Sequence, residues 1–99
     1  MGKGKRMFGM SLFPLSTLKK GREAQIVEID ESKLTGSNLL PKGELERRLL
    51  EMGFSEGTKV TLIEEGPFGK DPLVFLLRSC QLIALRRQEA SAILVQNLV

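Results

Sequence analysis

Residues 47–60 read RRLLEMGFSEGTKV, an amphipathic helical pattern that stops at Gly53 and gives way within a few residues to strand-like alternation. At 100° per residue, Leu45, Leu49 and Met52 fall on one stripe, which predicts a short helix over 44–52 with a single core face. Glu44–Arg48 and Arg47–Glu51 are i,i+4 pairs on the polar side, each worth about 0.2–0.5 kcal/mol. Gly53 can adopt the left-handed conformation that ends a helix, and Phe54 is then expected to fold back onto Leu49, as in a Schellman stop. After the turn Ser55-Glu56-Gly57, the segment TKVTLIEE alternates, with Val60 and Leu62 on one face and Lys59 and Thr61 on the other. The helix is therefore expected to lie across the sheet that this strand begins.

The remaining segments follow the same reading. PLSTLKKG, residues 14–21, has two readings: a helical turn with Ser16 as N-cap and Gly21 as stop, or an irregular turn that packs Leu15 and Leu18 onto the core. EAQIVEID, residues 23–30, is rich in β-branched residues and predicts the first strand. ESKLTGSNLLPKG, residues 31–43, is a loop by composition and is longer than most connections. GPFGKDP, residues 66–72, is dense in turn formers and predicts the loop of a wide hairpin. LVFLLR and CQLIAL follow as strands split near Arg78–Ser79. RRQEAS gives one turn of helix, and AILVQNL the closing strand.

Four or five short strands with one true helix predict a mainly β chain, a small barrel with the amphipathic helix packed across it and short extra helical turns. Strands 73–77 and 80–85 are apolar on both faces. One face should fill the barrel, and the helix stripe is expected to cover the other. Residues 1–12 read as a disordered basic extension and residues 13–99 as the single domain.

Composition narrows the function by exclusion. With 41% apolar and 27% charged residues, the chain has the balance of a soluble globular domain. Its net charge of +3 comes from Lys3, Lys5 and Arg6, since twelve Lys/Arg face twelve Asp/Glu from residue 7 onward. The charge alone therefore says little about partners and gives no nucleic-acid patch. Cys80 is the sole cysteine, and its apolar neighbours predict a buried structural thiol. No apolar run approaches the roughly 20 residues of a membrane span, and Gly9, Ser11 and Pro14 interrupt the N-terminal apolar stretch. These features predict a cytoplasmic protein without direct membrane insertion.

Catalytic chemistry is missing from the pattern. There is no His, the commonest general base and metal ligand, so Cys80 has no imidazole partner. GPFGK does not match a phosphate loop. Asp30, Glu31, Glu64, Glu65 and Asp71 follow no calcium-loop spacing and read as solvated strand ends. No catalytic, cofactor-binding or metal-binding residue is assigned. The absence of Tyr and Trp disfavours both proline-rich peptide grooves and base-stacking platforms.

PLSTLKKG, RRLLEMGFSEGTKV, GPFGKDPLVF and LIALRRQEASAILV occur in the order seen in ferrous iron transport protein A, and from about Leu15 to Val95 the chain resembles the FeoA family. The most specific stretch is Arg47 to Phe54 followed by Gly57-Thr58 and Val60. Gly69…Pro72 and Leu85-Arg86…Glu89-Ala90…Ile93-Val95 follow in register. The resemblance implies an SH3-like β-barrel, similar also to the C-terminal domain of metal-dependent iron repressors. It implies an accessory that docks on the cytosolic GTP-binding part of the membrane ferrous iron transporter and lies peripherally at the inner membrane through it. It carries a family-level association with transition metal ions, for which this chain offers no defined site. The 31–43 loop and the basic extension depart from the family pattern.

Four residues are assigned to docking. Leu50 points away from the core stripe between Glu46 and Arg47, and Phe68 stands in the Gly/Pro loop; Arg47 and Arg48 flank the helix surface. Each has a plainer reading: burial under a loop or strand for Leu50, folding back onto the barrel for Phe68, and solvated helix charges for the two arginines. The alternative function is a self-associating adaptor, with the apolar outer strand faces forming a homo-oligomer.

Overall fold

The computed structural model describes residues 11–33, 43–68, 71–78 and 80–98. Six strands, β1 (Phe13–Pro14), β2 (Glu23–Ile29), β3 (Lys59–Phe68), β4 (Asp71–Leu77), β5 (Gln81–Leu85) and β6 (Ile93–Asn97), form one antiparallel sheet in the order β1-β6-β2-β3-β4-β5. The sheet curls into a barrel-like form without strict closure, as the sequence pattern anticipates. Helix α1 (Glu44–Glu51) joins β2 to β3, and the short α2 (Arg87–Ala90) joins β5 to β6. Two 3-10 turns, Leu15–Thr17 and Glu31–Lys33, complete the described elements.

Alternation sets the inside of the barrel. Ala24 and Ile26 of β2, Val60 and Leu62 of β3, and Leu73, Phe75 and Leu77 of β4 are all buried. Phe54 and Phe75 meet edge to face, their ring centroids 6.5 Å apart, the arrangement aromatic quadrupoles favour. Leu45 and Leu49 of α1 belong to the same cluster. The helix thus plugs the inner face of the sheet, and the expectation that it covers the outer face of β4 and β5 is not met. Leu82 is 64% exposed, and its partner Leu76 is half-buried. An apolar pattern on both faces shows that two surfaces must be covered. It does not say which one a helix reaches, and the short link from Gly53 to β3 holds α1 on the inner side.

Four further expectations are corrected. Ser16 lies inside the 3-10 turn, where Pro14 is the N-cap and the Thr17 hydroxyl donates to the Pro14 carbonyl at 2.8 Å; Leu15 and Leu18 are buried, as the alternative reading had it. The wide hairpin loop at 66–72 is largely strand, because Phe68 pairs with Asp71. Irregular register between Glu65 and Phe68 accommodates the Gly-Pro pair that composition assigned to a loop. Cys80 is exposed in the turn between β4 and β5, since Arg78, with φ 54°, turns the chain before the apolar residues of β5 begin. Finally, Glu44 pairs with Arg47 instead of Arg48. The expected disorder of residues 1–12 falls, apart from Ser11 and Leu12, outside the described residues, as does most of the 31–43 loop.

Arg87 ties three elements together. Its amide donates to Asp71 Oδ1 at 2.6 Å, its Nη1 donates to the Ser16 carbonyl at 2.7 Å, and its Nη2 lies 3.9 Å from Glu65. Asp71 thereby caps the start of α2.

Candidate docking surface

Both ends of α1 are fixed, which sets the direction of every side chain on it. At the start, Gly43 is the N-cap with φ 87° and no side chain to offer. The carboxylate of Glu31 fills that role from across the 31–43 segment. Its Oε1 accepts from the Gly43 amide at 2.8 Å, and its Oε2 accepts from the Glu46 amide at 2.7 Å. Two orphan donors and the positive end of the helix dipole are satisfied by one anion. At the far end, Gly53 has φ 109°; its amide donates to Leu50 and that of Phe54 to Leu49, each at 3.0 Å. This is the Schellman stop expected from the sequence.

With Leu45 and Leu49 turned inward, Glu46, Arg47 and Leu50 face out. Leu50 is 45% exposed. It stands at a cleft of about 300 Å³ between α1 and β2, where Val27 and Ile29 meet Glu28, Glu46 and Glu56. Arg47 is held between Glu44 and Glu51, the latter at 3.1 Å. The hydrogen bond that Arg47 donates to Glu44, and then the charges of Glu44 and Glu51, raise its guanidinium above the ordinary value. Arg48 is exposed and, among the described residues, has no ion-pair partner.

The structure brings Arg47, Arg48 and Leu50 onto one helix and leaves Phe68 apart. The Leu50 cleft adjoins the Lys59 end of β3, while Phe68 is the last of the ten residues in that strand. A fully extended strand of that length would span about 30 Å, and β3 is shortened by register irregularities at Leu62/Glu64 and Glu65/Phe68. The side chain of Phe68 lies outside the described residues.

Sequence reasoning placed Glu46 beside Leu50 but missed Glu28 and Glu56, the other two carboxylates of the cleft. The signal was present in β2: Val27 and Ile29 interrupt the polar face that begins with Glu23 and Gln25, and a register shift between Ile26 and Glu28 marks the same spot. Two apolar residues on an otherwise polar face need a neighbour, and α1 supplies one. Nothing in the local pattern shows that Glu46 and Glu56 meet there.

Among the described residues, no three His, Cys, Asp or Glu side chains are grouped to hold a metal ion. Among the described residues no helix is long and apolar enough to cross a membrane.

A family model, the FeoA domain, matches residues 13–97. Among solved structures, FeoA from Chlorobium tepidum is 28% identical with a TM-score of 0.70, and the match covers 88% of this chain and 71% of that one. FeoA from Stenotrophomonas maltophilia, solved in complex with zinc, is 29% identical with a TM-score of 0.65, covering 84% and 88%. That protein is an SH3 domain protein put forward as a bacterial ferrous iron transport activating factor. A manganese-dependent transcriptional repressor shares the fold at 16% identity and a TM-score of 0.71, over 90% of this chain and 43% of the repressor. No curated protein matches the chain.

Proposed function

This chain belongs to the FeoA family, and from that premise we propose that it is a non-catalytic accessory protein of ferrous iron uptake that docks on the cytosolic GTP-binding part of the membrane iron transporter. Family membership carries the connection to ferrous iron transport. Leu50 carries the docking: an apolar side chain, 45% exposed, on a helix whose two ends are fixed and whose cleft is already formed. Pre-organisation of this kind lowers the entropic cost of association. The three carboxylates around the cleft specify the partner's chemistry, an apolar side chain flanked by Lys or Arg. Arg47, locked by Glu44 and Glu51, acts as part of the helix surface, and Arg48 remains available to an acidic group at the rim. Phe68 belongs to a separate contact, at the β3–β4 hairpin.

The test is a binding titration of the chain against the GTP-binding region of its cognate transporter, with GTP hydrolysis followed in parallel. Saturable binding that Leu50→Ala weakens tenfold or more is the expected outcome. An unchanged affinity for folded Leu50→Ala would remove Leu50 from the interface, and no binding to the region or to the whole transporter in membranes would remove the docking role.

A second reading has its own observation. Val74 and Leu76 of β4, with Leu82 and Ala84 of β5, form an apolar outer face on the edge of the sheet. β5 carries no charge and no Pro to protect that edge. The self-associating adaptor uses this face between copies of the chain. Sedimentation over a wide concentration range, with Leu82→Glu alongside, separates the readings: self-association abolished by Leu82→Glu favours the second.

A further inference from the structure

A sheet without strict closure keeps two edges. One is β1, two residues long and ending on Pro14. The other is β5, which among the described residues pairs with β4 alone. β5 keeps an unbroken register with β4 over five pairs, from Leu73↔Leu85 to Leu77↔Gln81. The β2–β6 and β3–β4 ladders, by contrast, each contain register shifts. The β5 edge therefore presents a regular row of outward-facing N–H and C=O groups, without the bulge, charge or Pro that ordinarily deters another strand.

The side chains of β5 sort cleanly between its two faces. Gln81, Ile83 and Leu85 stand opposite Leu77, Phe75 and Leu73, which are buried in the core. Leu82 and Ala84 alternate with them on the outer face, and both are exposed. Among the described residues, Leu82 is the most exposed large apolar side chain.

Self-complementarity identifies the occupant of this edge. When a strand pairs antiparallel with its own copy, each residue faces the one equally far on the other side of the two-fold axis. Only an axis through Ile83 pairs all five residues of β5. In that register Leu82 faces Ala84 of the second copy, a large side chain beside a small one, and the contact occurs twice. Arg86 then faces Cys80. An axis at Leu82 pairs only three strand residues and sets Arg78 against Arg86, like charges in opposition. An axis at Ala84 also pairs three and sets apolar Leu82 against Arg86.

We propose that β5 takes a second copy of this chain by strand addition, the two β5 strands pairing antiparallel about Ile83 so that two sheets become one. This rests on the self-associating reading above and deepens it: the contact between copies is the β5 edge, with Leu82 and Ala84 as its side-chain component. Main-chain hydrogen bonds supply the attraction, and the alternate side chains fix the register. Five residues a side make a small interface by the standard of stable complexes, so a concentration-dependent dimer is expected. Pairing about a two-fold axis occupies β5 in both copies. The two-residue β1 left at each outer end is too short to carry the sheet onward into a fibre.

Two readouts test this. Sedimentation of the wild-type chain across a wide concentration range shows whether copies associate. Disulfide trapping then reads the register: Leu82→Cys and Ala84→Cys are made separately in a Cys80→Ser background and oxidised with glutathione disulfide, alone and mixed. Opposed residues of an antiparallel pair lie about 4.5–5.5 Å apart at Cα, inside the range a disulfide spans. The mixture is expected to yield about tenfold or more covalent dimer over either variant alone, identified by mass as the heterodimer. Each of the replaced side chains is exposed, and unchanged melting curves would show that folding is intact. A dimer in sedimentation with no preference for the heterodimer would overturn the pairing about Ile83 and leave self-association standing. A monomer at every concentration would overturn both.

Discussion

The amide of Phe54 donates to the carbonyl of Leu49 at 3.0 Å, and the two side chains share one buried cluster. The backbone bond closes the helix while the side-chain contact anchors it to the barrel. Between them Gly53, at φ 109°, makes the reversal feasible. A Cβ there would sit 3.3 Å from Leu77 Cδ1.

Gly53→Ala combines a left-handed backbone with that tight contact, and a loss of about 2 kcal/mol is expected. Gly57→Ala has a similar positive φ but meets nothing within 4 Å, so its loss should be nearer 1 kcal/mol. Urea unfolding midpoints of the two variants check the order.

Gly66 is required for a different reason. A Cβ at this position would lie 2.1 Å from the backbone oxygen of Asp71, and backbone cannot yield as the end of a side chain can. Gly66→Ala should cost about 3 kcal/mol or more. A thermal melt close to wild type would show that the β3–β4 hairpin can open without penalty.

Glu31 caps α1 from a distance, so its removal should loosen the helix without disturbing the barrel core. Glu31→Ala is expected to lose about 1 kcal/mol, and Glu31→Gln less, because an amide keeps one acceptor. Amide hydrogen exchange should accelerate first at Gly43 and Glu46, the two donors it satisfies.

Leu49 and Leu50 are neighbours with opposite roles. Leu49, 1% exposed, should cost about 2–5 kcal/mol on truncation to Ala. Leu50→Ala should cost less than about 1 kcal/mol while weakening docking. Chemical denaturation read beside the binding titration separates the two.

Cys80 is exposed in a turn. An alkylating reagent should label it in the native protein within a few-fold of the rate in denaturant. Protection by orders of magnitude would return it to the core.

Local chemistry was legible in the sequence. The stop at Gly53, the inward positions Val60 and Leu62, the break at Arg78 and the helical turn before β6 depend on residues a few positions apart, where periodicity and turn chemistry act directly. Leu50 was legible for the same reason, since its angle on α1 follows from spacing to Leu45 and Leu49. Tertiary structure decided the rest. Which face of β4 the helix covers, how far β3 runs through Gly66 and Pro67, and where Cys80 points all depend on strand register, which irregularities shift by single residues. The capping carboxylate came from Glu31, twelve residues before Gly43, and the acidic rim of the Leu50 cleft joined Glu28, Glu46 and Glu56 from separate segments. Charges have no periodicity that announces a distant partner, so only the closed fold could bring them together.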